Sequence, residues 1–378
     1  MRMRSGPQWL ALLLTAMMRP AGAGEPTNMQ QVAPIPLASD GQALATRVAR
    51  LDPSLDHILS PGSRVIVAKG ENYFGVIEGA AWVPAGASGY LLFTDFVANV
   101  VYKWAPESRQ LSVFLDKSGY TGNLADIAYA GRMTTTQYGA PLYVYDIGAN
   151  GIALDPEGRV LLCAQGDRQI VRLEKDGTRT VLATGYQGHR FNHTNSMAVK
   201  SDGAIYISDS RAGVHVSGAP TLKDALPLSV YLIKQGNVTR VIADRGHGLA
   251  FSPDEKLLYV TGIGKTIMRY DVQPDDTLRN GRVFIDMSDQ KAPGAPNQVA
   301  VDREGNVYSG GPGGLWIMSP QGKHLGTIPL PAVAAGLVFG GADLKTLYIL
   351  DSRNLLQLRV KVPGLRLPAR LTDARGAQ

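Results

Sequence analysis

The sequence predicts an all-β chain, a six-bladed β-propeller with four antiparallel strands per blade. Three observations carry this. A short motif returns six times at intervals of roughly fifty residues. Each copy places two short apolar runs around a turn built on Asp, Pro or Gly, the chemistry of a tight hairpin. The 378 residues include 43 Gly and 23 Pro, which favours many turns over long helices. Two separate β-sandwiches would also be β-rich, but they would not repeat one motif in every unit.

In chain order, residues 1–23 have the pattern of a secretory signal: Arg2 and Arg4, an apolar run from Trp9 to Met18, and Ala21-Gly22-Ala23 as a small-x-small cleavage site. The run is too short to cross a bilayer, and no later stretch has the roughly 18 apolar residues that a spanning helix needs. Residues 24–58 form a lead-in, 59–362 the propeller and 363–378 a mildly basic tail. The first copy of the motif is Glu78-Gly79-Ala80-Ala81-Trp82. The second runs from Asn150-Gly151-Ile152 to Gly158-Arg159 and then Val160-Leu161-Leu162-Cys163. A third begins at Asn195-Ser196-Met197, a fourth at His247-Gly248-Leu249, a fifth at Asn297-Gln298-Val299 and a sixth at Ala335-Gly336-Leu337. The long gap between the first and second copies holds Met133-Thr134-Thr135-Thr136-Gln137, which reads as an inserted loop.

Composition narrows the function. The 44% hydrophobic fraction excludes a disordered chain. One cysteine, Cys163, excludes an intramolecular disulfide framework and multi-cysteine metal centres; its place in an apolar strand marks it as core. Removing the signal takes three arginines and no acid from a net charge of +6, so the mature chain carries +3. No aromatic residues alternate with that charge, so nucleic acid is not the expected partner. Gly264-Lys265-Thr266 is not a phosphate loop, because the required upstream Gly is Tyr259. The expected partner is a small-molecule substrate and the expected assembly a monomer. Export without disulfides points to a periplasmic or secreted location.

The ordered motifs resemble the gluconolactonase, regucalcin (senescence marker protein) and luciferin-regenerating-enzyme family. Glu78-Gly79-x-x-Trp82, Asn150-Gly151-Ile152-x-Leu154-Asp155, the stretch from Tyr186 to Asn195 and Gly248-Leu249-Ala250-Phe251-Ser252-Pro253 are each similar to a family motif, over about residues 55–355. The resemblance implies a six-bladed propeller with one divalent cation, commonly calcium, at a mouth of the central channel. By motif, the ligands fall on Glu78, His247 and Asn297, with Asn195 near the substrate. The sequence departs from the family twice: His247 stands where Asn is expected, and Asn297 where Asp is expected. The second change lowers the anionic charge, and imidazole suits zinc or manganese better than calcium.

The residues themselves support a site there. Each polar residue opens the innermost run of its unit, and strand starts at the hub converge on one channel end. A lone buried Glu is costly unless something pairs with it. Glu78 and His247 are therefore the candidate catalytic groups, and Asn150, Asn195 and His193 the substrate-binding ones. Glu78, His247 and Asn297 are the metal ligands that the resemblance implies. His189 and His193, four apart in a polar loop, are not read as a ligand pair. The expected activity is metal-dependent hydrolysis of a lactone or related cyclic ester. An isomerase or lyase on a secondary metabolite, or a non-catalytic binding propeller, are the alternatives.

Overall fold

Blade geometry follows from where the apolar runs pair. The computed structural model describes residues 38–70, 73–85, 88–123, 131–135, 141–210, 226–262 and 264–365. The proposed signal and most of the basic tail lie outside them. The described residues all belong to the unit Ile35–Gln378.

Six antiparallel sheets succeed one another along the chain, and each is a blade. Blade one is Ile77–Ala85, Ser88–Asp95, Val100–Ala105 and Gln110–Asp116, paired in that order. Blade two runs from Ala149–Leu154 to Arg179–Ala183, and blade three from His193–Val199 to Asn237–Ala243. Blade four opens with Leu249–Phe251, blade five with Val299–Val301 and blade six with Gly336–Gly340. These six opening strands coincide with the six motif copies. Successive opening strands are neighbours in space, and the sixth lies beside the first, so they form a closed ring around the channel.

The ring closes by borrowing a strand. Blade six supplies three strands of its own, and Val65–Lys69, from before blade one, pairs with Leu355–Arg359 as the fourth. Joining the two chain regions in one sheet leaves no seam in the ring. The lead-in also contributes: Ala49–Arg50 adds a fifth strand to blade five, shielding the edge of His324–Ile328. Its Leu44, Leu55, Ile58 and Leu59 are buried against blades five and six.

Burial explains the apolar runs. Second strands such as Val160–Ala164 are buried along their whole length, because both faces of a blade pack on neighbouring blades. Outermost strands such as Gln110–Asp116 are mostly exposed. The core is accordingly six clusters, one at each blade interface. In the turns between first and second strands, Asp155 accepts from the backbone N–H groups of Glu157 and Arg159, and Asp302 does the same for Glu304 and Asn306. These are the Asx turns that the Asp-Gly spacing foretells.

Two details differ from the sequence expectation. The insertion between blades one and two contains a hairpin, Gly131–Thr135 paired with Pro141–Tyr145, rather than a plain loop; residues 136–140 lie outside the described ones. The stretch around His193 is not loop either. Asp209 accepts hydrogen bonds from the N–H groups of Asn192 and His193, which draws His193 into the first strand of blade three and buries it.

Candidate functional site

One end of the channel is built by a repeated local device. In blade one, Thr94 Oγ1 accepts from the N–H of Gly79 at 2.9 Å and donates to the carbonyl of Asn150, in the next blade, at 2.7 Å. In blade four, Thr261 Oγ1 accepts from Gly248 N–H at 2.7 Å and donates to the carbonyl of Asn297, in blade five, at 2.6 Å. In blade three, Ser208 Oγ accepts from Ser196 N–H and donates to the carbonyl of His247. Cys163 holds the corresponding place in blade two, where its thiol interacts with Gly151 N–H and Thr194; burial pushes that thiol well above its ordinary range. The hydroxyl of one blade thus fixes the backbone of the next blade's polar residue.

Glycine permits the close approach. A Cβ on Gly79 would stand 2.0 Å from the Asn150 carbonyl oxygen, and one on Gly248 would stand 2.3 Å from that of Asn297. Gly151 and Gly336 meet the carbonyls of Asn195 and Glu78 in the same way. Glycine at these four positions, 79, 151, 248 and 336, is therefore a contact requirement, not loop slack.

Glu78 is 7% exposed. Its Oε2 accepts from Asn150 Nδ2 at 3.3 Å, and its Oε1 accepts from Asn195 Nδ2 at 3.4 Å and Gln298 Nε2 at 3.5 Å. The carboxylate is approached from blades two, three and five, but all three bonds are long. They leave lone pairs free and compensate only part of the cost of burying the charge. Oδ1 of Asn150, Oδ1 of Asn195, Oδ1 of Asn297 and Nδ1 of His247, all at or just before opening strands, are also buried and have no hydrogen-bond partner. One anion with four orphaned acceptor atoms on the same ring of strand starts is a donor set that fits a divalent cation. Among the described residues no three His, Cys, Asp or Glu side chains are placed to hold a metal, so amide oxygens would have to complete any such set.

The expected site residues fall as follows. Asn150 and Asn195 both bond Glu78 near the strand starts, while His247 and Asn297 each sit two residues before their strands. His193 is buried, and its Nδ1 pairs with Ser210 Oγ at 2.9 Å. His189 is exposed on a two-residue strand, away from this arrangement. Phe74, one of the aromatic residues near the motifs, packs edge-on against Phe93 and Tyr102 in the core between blades six and one.

Sequence reasoning missed Gln298 and Ser196. Ser196 Oγ donates to Gln298 Oε1 at 2.8 Å, and Gln298 passes the chain on to Glu78. The signal was present in the repeat: the residue after the polar position is Gly in four copies, Ser in the third and Gln in the fifth. It missed the bridging hydroxyls too, although Thr94, Ser208 and Thr261 each lie within the last three residues of a second strand. Beyond Glu78, Ser196 and Gln298 the channel continues as a cavity of about 480 Å³ between the opening strands, reaching Leu344 and Leu365 at its other end.

A closed ring of six blades with polar residues at the starts of its opening strands defines the class: a six-bladed β-propeller with a candidate site at its hub. The chain belongs to the SMP-30/Gluconolactonase/LRE-like family, whose pattern matches residues 76–353. It is 30% identical over 332 residues to a gluconolactonase of Zymomonas mobilis, covering 84% of this chain and 87% of that one. A solved gluconolactonase of Xanthomonas campestris is 26% identical, with a TM-score of 0.66 over 87% of this chain and 99% of that one. A calcium-binding regucalcin of Agrobacterium tumefaciens shares the fold, with a TM-score of 0.57 at 17% identity over 80% of this chain and 95% of that one.

Proposed function

We propose that the protein is a lactone hydrolase acting at the channel end that holds Glu78. The observation that carries this is the buried Glu78 carboxylate, loosely held by three amides on a ring of strand starts that also carries four unpaired acceptor atoms. Gluconolactonases among its relatives support the reaction class.

Glu78, His247 and Asn297 would hold a divalent cation, which when bound supplies Lewis acidity to a lactone carbonyl. Asn150 and Asn195 orient the Glu78 carboxylate and flank the place where substrate enters. Glu78 Oε2 accepts one amide bond against two on Oε1, so it is the oxygen free to take a proton from attacking water. The carbon–oxygen ester bond of the ring then breaks, the proton passes to the departing ring oxygen, and the product is a hydroxy acid. His193, tied to Ser210, lines the approach from blade three.

The test is hydrolysis of glucono-1,5-lactone and a panel of other lactones, with and without added divalent cations. Glu78→Gln keeps the shape and removes the charge, and turnover should fall by roughly 10²–10³-fold or more. Retained turnover in that variant would overturn the assignment. We also propose export by residues 1–23. N-terminal sequencing of the protein from its native host should begin at Gly24; an intact Met1 would reject it.

A further inference from the structure

We infer that the substrate is a lactone carrying an unbranched alkyl chain, and that the channel below Glu78 receives the chain. The inference rests on the hydrolase reading above and names the class of lactone.

Glu78 belongs to two surroundings at once. Its carboxylate takes bonds from Asn150 and Asn195 at the strand starts, and the same residue walls the cavity of about 480 Å³ that runs down the channel. Polar side chains gather at that end of the cavity: Glu78, with Ser196 and Gln298 bonded to each other at 2.8 Å. Below this rim every lining side chain is aliphatic or aromatic except Ser88, and none is charged. A cavity with polar groups at one end and apolar side chains beyond them suits a ligand divided in the same way.

All six blades contribute to the wall, so the cavity follows the channel axis. Ala153 of blade two and Ala250 of blade four are each half-buried between buried strand neighbours, and both border this space. The opening strand of blade six gives the depth. It runs from Gly336, beside the Glu78 carbonyl, to Gly340, four steps of ~3.4 Å or ~14 Å in all. A chain of eight carbons, at no more than ~1.5 Å per bond, stays within that length. A lactone ring held against Glu78 therefore lays its alkyl substituent along the channel while its carbonyl stays at the polar end. The 3.5 Å bond from Gln298 to Glu78 is the weakest link of the rim that the chain passes.

The experiment measures kcat/KM of full-length mature protein, with divalent cations added, on unsubstituted γ-butyrolactone, on γ-butyrolactones bearing methyl, butyl, hexyl and octyl chains on the carbon beside the ring oxygen, and on glucono-1,5-lactone. Each added methylene should raise kcat/KM about two- to fourfold, as burial of a methylene implies. Ala153→Leu and Ala250→Leu place extra methyl groups in the channel from two different blades. Each should cut kcat/KM on the octyl lactone at least tenfold, leave that on unsubstituted γ-butyrolactone within twofold and keep the parent's melting temperature. A series that is flat or falls with chain length, glucono-1,5-lactone turned over faster than the octyl lactone, or the parent's chain-length slope retained in both variants would overturn the inference while leaving a lactone hydrolase intact. Turnover of no lactone would overturn both the inference and the hydrolase reading.

Discussion

Gln298 Nε2 lies 3.5 Å from Glu78 Oε1, and 220 positions of chain separate the two residues. The same Gln298 accepts a 2.8 Å bond from Ser196, so blades three, five and one meet at one carboxylate. Gln298→Leu keeps the bulk and removes both bonds. We expect lactone turnover to fall about tenfold, equivalent to ~1.4 kcal/mol, mainly through kcat, because orientation of Glu78 is lost rather than substrate contact. Unchanged kcat at unchanged stability would show that the link has no part in the reaction.

Gly79 has no room for a side chain, since a Cβ would lie 2.0 Å from the Asn150 carbonyl oxygen. Gly79→Ala must push blade one from blade two at the strand start, and should destabilise the protein by about 1–3 kcal/mol. Gly62→Ala, with nothing within 4 Å of the new methyl, should be near neutral. Urea denaturation of both variants distinguishes close packing from a general effect of removing glycine; equal losses would refute the packing account.

Thr261 Oγ1 joins Gly248 N–H to the Asn297 carbonyl. Thr261→Val preserves shape and leaves both backbone groups without that partner, at a cost of about 1–3 kcal/mol. Thr261→Ser should recover most of the stability. A Val variant as stable as the parent would mean the hydroxyl positions nothing.

Burial raises the carboxyl groups of Asp209 and Asp351 to about 7, against the backbone hydrogen bonds each accepts. The folded state then retains protons that the unfolded chain releases near pH 4. Between those values the native state binds more protons, so these groups make stability fall as pH rises from about 4 to 7, with little further change above. Asp209→Asn should flatten part of that slope in melting temperatures measured from pH 5 to 8. An identical slope in the variant would show that Asp209 does not titrate there.

The blade motif was legible because it is local. Asp-Gly turns, short apolar runs and the polar residue that opens five of the copies lie within about fifteen residues of one another, so the six copies located the opening strands, with Glu78, Asn150, Asn195, His247 and Asn297 at or just before them. The hairpin at Gly131–Thr135 is not legible because its sequence, Gly131-Arg132-Met133-Thr134-Thr135, does not alternate apolar and polar residues. The sequence around His193 reads as loop because the carboxylate that seats it, Asp209, comes from the following strand.

By itself, then, the sequence determined the number of blades, the turns and the polar residues that open five of the blades, since each depends on neighbours in the chain. Tertiary structure alone decided what those residues do to one another. Closure by Val65–Lys69, the hydroxyls that fix the next blade's carbonyls and the three amides around Glu78 all join separate parts of the chain, 56 to 220 residues apart for the Thr94–Asn150 and Glu78–Gln298 pairs. No periodicity records such contacts. They exist because six blades, packed face to face, bring their first strands within hydrogen-bonding distance at the hub, where a buried charge must find partners.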